Sequence, residues 1–563
     1  MKIAFKTFTA LGLLAGVNAA QAIDFSNDTV TGNFDSTVSI GVGIRAHTPD
    51  CVGIIGSIGG VPVHASGSDA PAGCTEAYSG YGDQGNLNYR QGQLFTGYVK
   101  GTSELLLKFD NDIKFLGRVS WLRDLAADKV SGDISAAGST SLPGDSGDQL
   151  REKIRLLDFW VSKSFNLADE RAQIRVGNQV INWGESLFLP GGINQTNAED
   201  LMRLSQPGTQ LKEAVLPTKM INFSTGLGGG FSVESYVQLG WEGNYFPPVG
   251  SFWSTATVGP GADGDGFPTT KTPRSGGQYG VALRYTPDSI SANFGLYALN
   301  YHDKSPVMST STTSPSGYQY SYLEDRKLLG ASVNFPVGNW AIGSELSYRP
   351  KDAVSLNSSA PGLSTTTVGA QSCLANTHCY VESGKYQLAV TGLLSLTPSD
   401  YGGILNFLHA DTGTLLSEAV VVRYPGLQSK YQGVPVAAGL WGWGYDNAAN
   451  LIATGSGTPD GVGTATSYGI NFDYSWVYDG TVIKGWQVVP EVYYFDALKG
   501  YTPNAMGTFM QGAKSANFVV TFLQNPATWQ FAVNYAGFWG GRNILAQPLK
   551  DHGYVGMTLT RNF

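Results

Sequence analysis

The sequence has too little uninterrupted apolar chain for a helical membrane protein. After residue 22, no stretch reaches the ~18 consecutive apolar residues that a membrane-spanning helix needs. Charge is scarce too, because Asp, Glu, Lys and Arg make up only 14% of the 563 residues. The net charge of −8 leaves no basic excess, which argues against nucleic acid as a partner.

Motifs of catalysis and metal binding are also missing. No His-Glu-x-x-His zinc motif, phosphate-binding Gly-Lys-Ser/Thr loop or nucleophile elbow occurs, and the six histidines are scattered along the chain. We therefore predict no enzyme activity, no cofactor and no resident metal. Barrel lipases assemble Ser and His across strands, so an outer-membrane lipase, or an adhesin, remains a third class of function.

Cysteine is rare, and the four cysteines form two local pairs, Cys51 with Cys74 and Cys373 with Cys379. Each pair falls within one predicted long loop of an exported chain, where disulfides are typical. A metal site beside His378 is the alternative, but one adjacent histidine does not supply a tetrahedral ligand set. We expect two loop disulfides.

The N-terminal residues have the layout of a secretory signal peptide. Lys2 and Lys6 precede an apolar run, and the segment closes on Ala20-Gln21-Ala22. The mature chain is then 23–563, and its net charge becomes −10 because the two lysines are lost from a total of −8.

The C-terminus resembles the last-strand signal that the barrel-assembly machinery recognises. Val555, Met557 and Leu559 share one parity ahead of the terminal Phe563. Arg561 interrupts that parity, although a residue at the periplasmic rim can keep its charge in water.

Apolar and polar residues alternate with a period of two throughout the chain, most clearly over Phe231–Trp241, Asp110–Trp121 and Gln173–Val180. An exported chain of alternating strands without spanning helices crosses a bilayer as a closed barrel. We predict an all-β, transmembrane, antiparallel β-barrel of about 18 strands, with 16 as the alternative. A soluble β-sandwich would explain any single strand equally well.

Lipid outside the barrel determines which way its charges point. An Arg or Lys that faces the bilayer midplane costs roughly 2–4 kcal/mol. The strand charges expected to face the lumen are therefore Glu104, Lys108, Lys114, Arg118, Arg175 and Glu234.

Short and long connections alternate along the predicted strands. Barrels of even strand number place short turns in the periplasm and long loops outside. The predicted short turns lie near Asp110, Asn166–Arg171, Leu227–Gly229, Pro287–Ser289, Pro336–Asn339, Thr397–Tyr401, Asp479 and Asn525-Pro526. We expect both termini in the periplasm and external loops at Ser355–Cys379 and Asp411–Gly463.

One long connection, Gly184–Val215, combines a Gly- and Pro-containing opening, a polar helix candidate at Asn197–Leu204 and a Pro-Gly stop. Loops of this length are usually functional. We predict that it folds inward as a constriction of the lumen, with a solvated external loop as the alternative. The residues expected to pair with wall charges such as Arg175 and Glu234 are Glu185, Asn194, Asp200, Arg203, Lys212 and Glu213.

Several blocks resemble one proteobacterial outer-membrane family, domain of unknown function 1302, which includes proteins implicated in alkane uptake. The most specific block is Arg175–Glu185, which contains Trp183, and the others lie at Gly32–Thr37, Pro190–Asn194, Pro207–Gly208, Leu211–Glu213, Pro247–Gly250, Pro490–Asp496 and Phe509–Lys514. The chain has Asn197-Ala198-Glu199-Asp200 where members tend to carry Asn-Pro-x-Asp, so the local turn departs from the family pattern.

The resemblance implies uptake or transfer of hydrophobic molecules such as alkanes, terpenes or steroids, together with a periplasmic lipoprotein-like partner and an inner-membrane exporter. A sheltered path past lipopolysaccharide would use aromatic residues near an apolar pocket, and Trp441 and Trp443 in a long connection are candidates. Interfacial aromatic girdles are the ordinary alternative. The runner-up function is a selective porin for small polar or anionic solutes, and an apolar tunnel would distinguish the first from the second.

Overall fold

The computed structural model describes most of the chain from residue 23 onward. The described ranges are 23–49, 88–127, 146–248, 250–254, 269–311, 318–356, 378–432, 434–437, 462–504, 507–524, 527–541 and 546–563. The predicted signal peptide, Trp441, Trp443 and three of the four cysteines lie outside them.

Eighteen long strands form one closed antiparallel barrel, as predicted. In chain order they are β1 (Val30–Arg45), β2 (Leu94–Phe109), β3 (Ile113–Asp124), β4 (Glu152–Leu167), β5 (Glu170–Gln179), β6 (Thr218–Gly228), β7 (Phe231–Gln238), β8 (Gln278–Tyr285), β9 (Asn293–Tyr301), β10 (Arg326–Val337), β11 (Trp340–Ser355), β12 (Tyr380–Leu396), β13 (Thr412–Arg423), β14 (Thr466–Asp479), β15 (Trp486–Lys499), β16 (Ala513–Gln524), β17 (Trp529–Gly540) and β18 (Tyr554–Asn562). Every strand pairs with its sequence neighbours, so the chain meanders around the wall.

The first and last strands close the barrel. Thr37 of β1 lies opposite Asn562 of β18, and the pairing continues to Arg45 opposite Tyr554. Before it meets β18, β1 pairs with a short N-terminal strand, Ile23–Ser26. Because closure leaves no free edge, the backbone groups of the wall are satisfied within the sheet.

Seven connections of two to seven residues and one of 15 residues alternate with nine connections of 13 or more residues. The first eight all lie where the sequence predicts turns, which confirms the predicted alternation. One of them is larger than expected, because helix α4 (Pro398–Leu408) follows the predicted turn residue Thr397. Pro at the first helical turn fixes a helical φ and requires no partner for a backbone N–H, which favours a helix there.

The prediction that Asp411–Gly463 is one external loop is wrong. Its first part, Thr412–Arg423, is the barrel strand β13 and pairs along its length with β12 and β14. Three β-branched valines follow Ala419, and the run alternates between exposed and buried positions, a pattern typical of a strand with one covered face. The predicted loop Ser355–Cys379 corresponds to the long connection between β11 and β12, except that Ser355 is the last residue of β11.

The outside of the barrel is apolar and the inside carries the charges. Large apolar side chains that alternate with lumen-facing residues stay exposed on the wall, among them Leu296, Leu329, Val281, Val390 and Phe518. On the inner face, Arg118 donates to both Glu104 and Asp158 at 2.6 Å. This alternation is the one expected when lipid covers the outer face.

The remaining elements belong to the connections. The described helices there are α1 (Ser146–Arg151), α2 (Leu201–Ser205), α3 (Leu211–Ala214) and α4. The short strands are Ala198–Glu199, Val215–Leu216, Thr269–Lys271, Val307–Thr310, Tyr318–Ser321, Lys430–Tyr431 and Val434–Pro435. Among the described residues, no helix is long and apolar enough to cross a membrane.

The topology can be tested with single cysteines on described, exposed positions. We expect a membrane-impermeant maleimide to label Gln428→Cys, in the long connection after β13, in intact Gram-negative cells. Thr481→Cys, in the short turn after β14, should be labelled only after the outer membrane is permeabilised. Labelling of Thr481→Cys alone in intact cells would invert the orientation.

Candidate functional site

The segment that joins β5 to β6, Val180–Pro217, is built from small local elements. Its strand Ala198–Glu199 pairs with Val215–Leu216. Between these strands, the Asp200 side chain accepts from the backbone N–H of Arg203 and begins α2. The sequence prediction of a helix over Asn197–Leu204 is thus right for its second half, while its first half is a strand.

A buried glutamate of β11, Glu345, binds the segment through its backbone. Its carboxylate accepts from the N–H groups of Glu185 at 2.6 Å, Ser186 at 3.1 Å and Ile193 at 3.0 Å. The Glu345 side chain is only 2% exposed. A carboxylate with several backbone donors keeps its charge stable away from bulk water.

A second buried glutamate, Glu418 of β13, repeats this arrangement at the tip of the segment. It accepts from the backbone N–H of Leu187 at 3.0 Å, and from those of Phe188 and Leu189 at 2.9 Å. The Ser186 hydroxyl donates to it at 2.6 Å. Two wall carboxylates therefore hold one continuous stretch of loop backbone.

Donors of the wall bind the carbonyl groups that follow. Arg349 of β11 donates to the carbonyl oxygens of Gly191 at 2.6 Å and Gly192 at 3.2 Å. Gln387 of β12 donates to the carbonyl of Pro190 at 3.2 Å. Wall carboxylates thus bind the N–H groups of the segment, and Arg349 and Gln387 of the same wall bind its carbonyl groups.

The other end of the segment is fixed to β2. Lys100 donates to Glu213 at 2.6 Å and to the Gly208 carbonyl at 2.7 Å, and all but about 4% of the side chains of the Lys100–Glu213 pair is buried. The Tyr98 hydroxyl donates to the Pro207 carbonyl at 2.6 Å. Gly208 has φ +67, and a Cβ there would lie 2.6 Å from Thr558 of β18, so this approach requires glycine.

Asp200 binds the segment to a third part of the wall. Its fully buried carboxylate accepts from Arg155 at 2.5 Å and lies 3.4 Å from Lys153, both on β4. Because the same carboxylate caps α2, one side chain holds the helix and the wall together. Loss of one partner of such a buried pair is typically costly.

Trp183 packs the start of the segment into the wall. Its indole Nε1 donates to Glu234 of β7 at 2.9 Å. Its ring lies 5.1 Å from that of Tyr236 and 5.8 Å from that of Tyr297. Tyr297 lies on β9, and on the adjacent strand β10 Asn334 donates to Glu185 at 2.8 Å.

The inner wall of β14–β17 is one part of the lumen surface that is polar and partly exposed. Phe188 of the segment reaches Tyr493 of β15, with ring centroids 5.6 Å apart. Asp473 of β14 and Asn517 of β16 lie directly opposite Tyr493 and therefore share its inward face. Together with Asn534 of β17, which donates to Asn517 at 2.9 Å, they line a partly exposed stretch of wall.

A cavity of about 80 Å³ lies beside the segment. Six charged residues line it, Glu199, Asp303, Lys304, Arg349, Asp352 and Lys385, with several amides between them. Burial raises the pKa of Asp303 to about 7 and lowers that of Lys304 to about 7. The cavity is therefore a polar site whose charge responds to conditions near neutrality.

Most of the predicted site residues belong to the contacts of the segment or to the cavity beside it. Trp183, Glu185, Asp200, Arg203, Glu213 and Glu234 all belong to contacts between the segment and the wall or within the segment. Asn194 lines the cavity.

Two predicted partners do not join these contacts. Arg175 lies over the Trp160 ring at 5.2 Å and donates to Gln179 of its own strand. Lys212 is exposed and forms no ion pair with the described residues, because it points away from the wall that Glu213 faces. Trp441 and Trp443 lie outside the described residues.

The cysteine prediction reaches the described residues only at Cys379, which is buried and disulfide-bonded. Cys51, Cys74 and Cys373 lie outside the described ranges, so the two pairings stay predictions. In the described part of the chain, no cluster of three or more His, Cys, Asp or Glu residues is arranged to hold a metal ion.

The residues that sequence reasoning missed are the wall partners Lys100, Arg155, Glu345 and Glu418. Each is a charge in a strand that otherwise alternates, as in Ser417-Glu418-Ala419-Val420. The rule that predicts inward Arg118 and Glu234 applies to all four. It could have identified them as lumen-facing, but the backbone groups that they bind carry no sequence signature.

Comparison with known proteins identifies one family. The family model described as "Protein of unknown function (DUF1302)" matches residues 3–563. No curated protein matches the sequence.

Several solved structures share the general shape at low identity. Acinetobacter baumannii OccAB1 is 12% identical, with 97% of this chain and 99% of that chain covered and a TM-score of 0.44. Pseudomonas aeruginosa OpdK with vanillate is 9% identical, with coverage of 95% and 98% and a TM-score of 0.40. Pseudomonas aeruginosa OccK2 in complex with glucuronate is 10% identical, with coverage of 94% and 97% and a TM-score of 0.39. Likeness this distant does not carry a ligand from those proteins to this chain.

Removal of one wall carboxylate should loosen the segment without opening the barrel. In Glu418→Ala, three backbone N–H groups lose their acceptor, and each unsatisfied buried donor costs about 1–3 kcal/mol. We expect amide hydrogen exchange at residues 187–189 to accelerate about 10- to 100-fold, since 1.4 kcal/mol corresponds to a factor of ten. Glu152→Ala, which removes a carboxylate 73% exposed, should change nothing there. Unchanged exchange in Glu418→Ala would contradict the anchoring role.

Proposed function

The chain belongs to the DUF1302 family of proteins of unknown function, and we propose that it is an outer-membrane channel for small polar solutes, anions included. The segment 180–217 constricts its lumen, and residues 1–22 direct its export. The apolar outer face of the barrel supports insertion in a bilayer, as does the alternation of short turns with long loops.

The observation that carries the proposal is that the inner wall and the cavity beside the segment are lined by polar and charged groups. Asp473, Asn517 and Asn534 form a partly exposed polar wall along β14–β17. The cavity on the segment is lined by six charged residues and several amides. Water and polar solutes form hydrogen bonds with such surroundings. An apolar molecule would displace water from the charged groups without replacing its hydrogen bonds, which is unfavourable.

The hydrophobic-uptake function expected from the family resemblance is less well supported. An apolar solute needs a continuous apolar path with room in it. Among the described residues, the three largest apolar clusters are those that contain Val354, Trp183 and Phe252. Their side chains pack loops against the wall and fill the space that an apolar tunnel would need.

The constriction can be tested by removal. A variant that lacks Glu185–Lys212 should still fold, because the strands close on one another without the segment. We expect higher single-channel conductance in planar bilayers than for the intact protein, and weaker discrimination between acetate and a larger sugar acid. As a control, replacement of α4 by a Gly-Ser turn should leave conductance unchanged. Equal conductance in a folded, heat-modifiable deletion variant would place the segment outside the solute path.

The cavity should change its ion preference near neutral pH. Below about pH 7, Asp303 is largely protonated and Lys304 charged, and above it the reverse holds. Rising pH therefore makes the cavity more negative by about two charges, one for each group. We expect the chloride-over-potassium permeability ratio, measured from reversal potentials in a KCl gradient, to fall between pH 6 and pH 8.

The double variant Asp303→Asn, Lys304→Met provides the control for this pH effect. It removes both titrations while the segment anchors remain, so its permeability ratio should hardly change over the same range. A pH dependence as large as that of the intact protein would assign the effect to other groups.

A further inference from the structure

Four of the six charged residues around the cavity already have partners. Arg349 lies 3.3 Å from Asp352, which also accepts from the Tyr424 hydroxyl at 2.6 Å. Asp303 lies 3.7 Å from Arg326. Lys304 donates to Gln278 at 3.2 Å. Each of the four thus has a hydrogen-bond or ion-pair partner within the protein, although the Gln278 amide that Lys304 binds is neutral.

The other two, Lys385 and Glu199, have no such partner, although Lys385 lies near enough to Asp352 and Asp303 to be attracted by their charges. Lys385 is 1% exposed, yet its ammonium lines the cavity and forms no hydrogen bond or ion pair with any described residue. Glu199 lines the same cavity, and its carboxylate likewise forms no hydrogen bond or ion pair within the described ranges. Burial raises the pKa of Glu199, because its charged form loses water.

These two opposite charges also do not pair with each other, although they face one small space. Their nitrogen and oxygen atoms are more than the 4.0 Å of an ion pair apart. An unpaired buried ammonium is costly, and so is an unpaired carboxylate. A cavity that keeps both is complementary to a ligand that carries both opposite charges.

We infer that this cavity binds a small amphoteric solute of the amino-acid type, with its carboxylate at Lys385 and its ammonium at Glu199. The inference rests on the proposed function, for which it names the solute class. A solute with several negative charges would meet Asp303 and Asp352 in the same lining, so a zwitterion fits the site better than a polyanion.

The size of the cavity agrees with this class. At about 10–15 Å³ for each water, its 80 Å³ accommodates a molecule of a few heavy atoms, and glycine and alanine are of that size. An ammonium beside Glu199 would also favour the charged form of that carboxylate and so offset the effect of burial.

The two charges belong to different parts of the channel. Lys385 is part of the barrel strand β12, whereas Glu199 is part of the constricting segment. A Cβ at Gly191 would lie 3.2 Å from the Lys385 ammonium, so the segment backbone passes close to that charge. A bound zwitterion would therefore bridge the wall and the segment, and its residence would reduce ion flow through the lumen.

The test uses the full mature chain in planar bilayers with glycine, acetate and methylammonium as probes. We expect glycine to lower KCl conductance with a saturable concentration dependence at pH 7. Acetate and methylammonium, which carry one charge each, should act at concentrations about tenfold higher or more, since each lacks one charge-assisted contact.

The variants assign the two ends of the ligand. Lys385→Met should weaken inhibition by glycine and by acetate about tenfold, and Glu199→Gln should weaken glycine and methylammonium but leave acetate unchanged. The matched controls Lys351→Met and Glu152→Gln remove exposed charges outside the cavity and should behave like the intact protein. Calorimetric titration of the detergent-solubilised protein with glycine measures binding without ion flow.

The outcomes separate this inference from the proposed function. A KCl current that rises on removal of the segment but is insensitive to glycine, with no heat of binding, would overturn the inference and leave the channel in place. Equal potency of acetate and glycine would overturn the amphoteric solute. Glycine binding by calorimetry in a protein without ion current would support the site while it contradicts the channel.

Discussion

Two buried carboxylates on the barrel wall determine what this molecule can do. Glu345 and Glu418 accept six backbone N–H groups and one hydroxyl from a segment that would otherwise lie outside. Each exchange of water for these donors is only modestly favourable, but a missing partner would leave a charge or a donor unsatisfied. The anchoring is therefore nearly all-or-none, and it holds the segment against the charged face of the wall.

The other anchors act on the same segment from different directions. Lys100 holds its C-terminal part, Arg155 holds its middle through Asp200, and Glu234 holds its start through Trp183. Because these residues come from β2, β4 and β7, the segment cannot pivot about a single point. The wall of β14–β17 also contacts the segment, through Phe188 and Tyr493.

The barrel could be predicted from the sequence because its rules are local. Alternation sets the faces of each strand, lipid excludes charge from one face, and all eight short turns lie where turn residues cluster. The error at Thr412–Arg423 has a physical cause. Its centre, Ala419–Val422, is a continuous apolar run without polar residues between, so the period-two pattern does not identify it as a strand. The turn signal Pro425-Gly426 directly after it marks where the connection begins.

The segment side of the site could be predicted, but its partners on the wall could not, because the contacts join residues far apart in the sequence. The segment itself was identifiable by its length, as were Asp200 and Glu213, which carry charge. Their partners were not, since Glu345 and Glu418 bind peptide groups that any sequence possesses, and Lys212 and Glu213 differ in orientation by a single helical step. The same reasoning explains why family resemblance suggested an apolar solute while the proposed solute is polar. The block around Trp183 contributes to how the segment is held, whereas the charges proposed to meet the solute, such as Lys385, lie on strands that no family block marks.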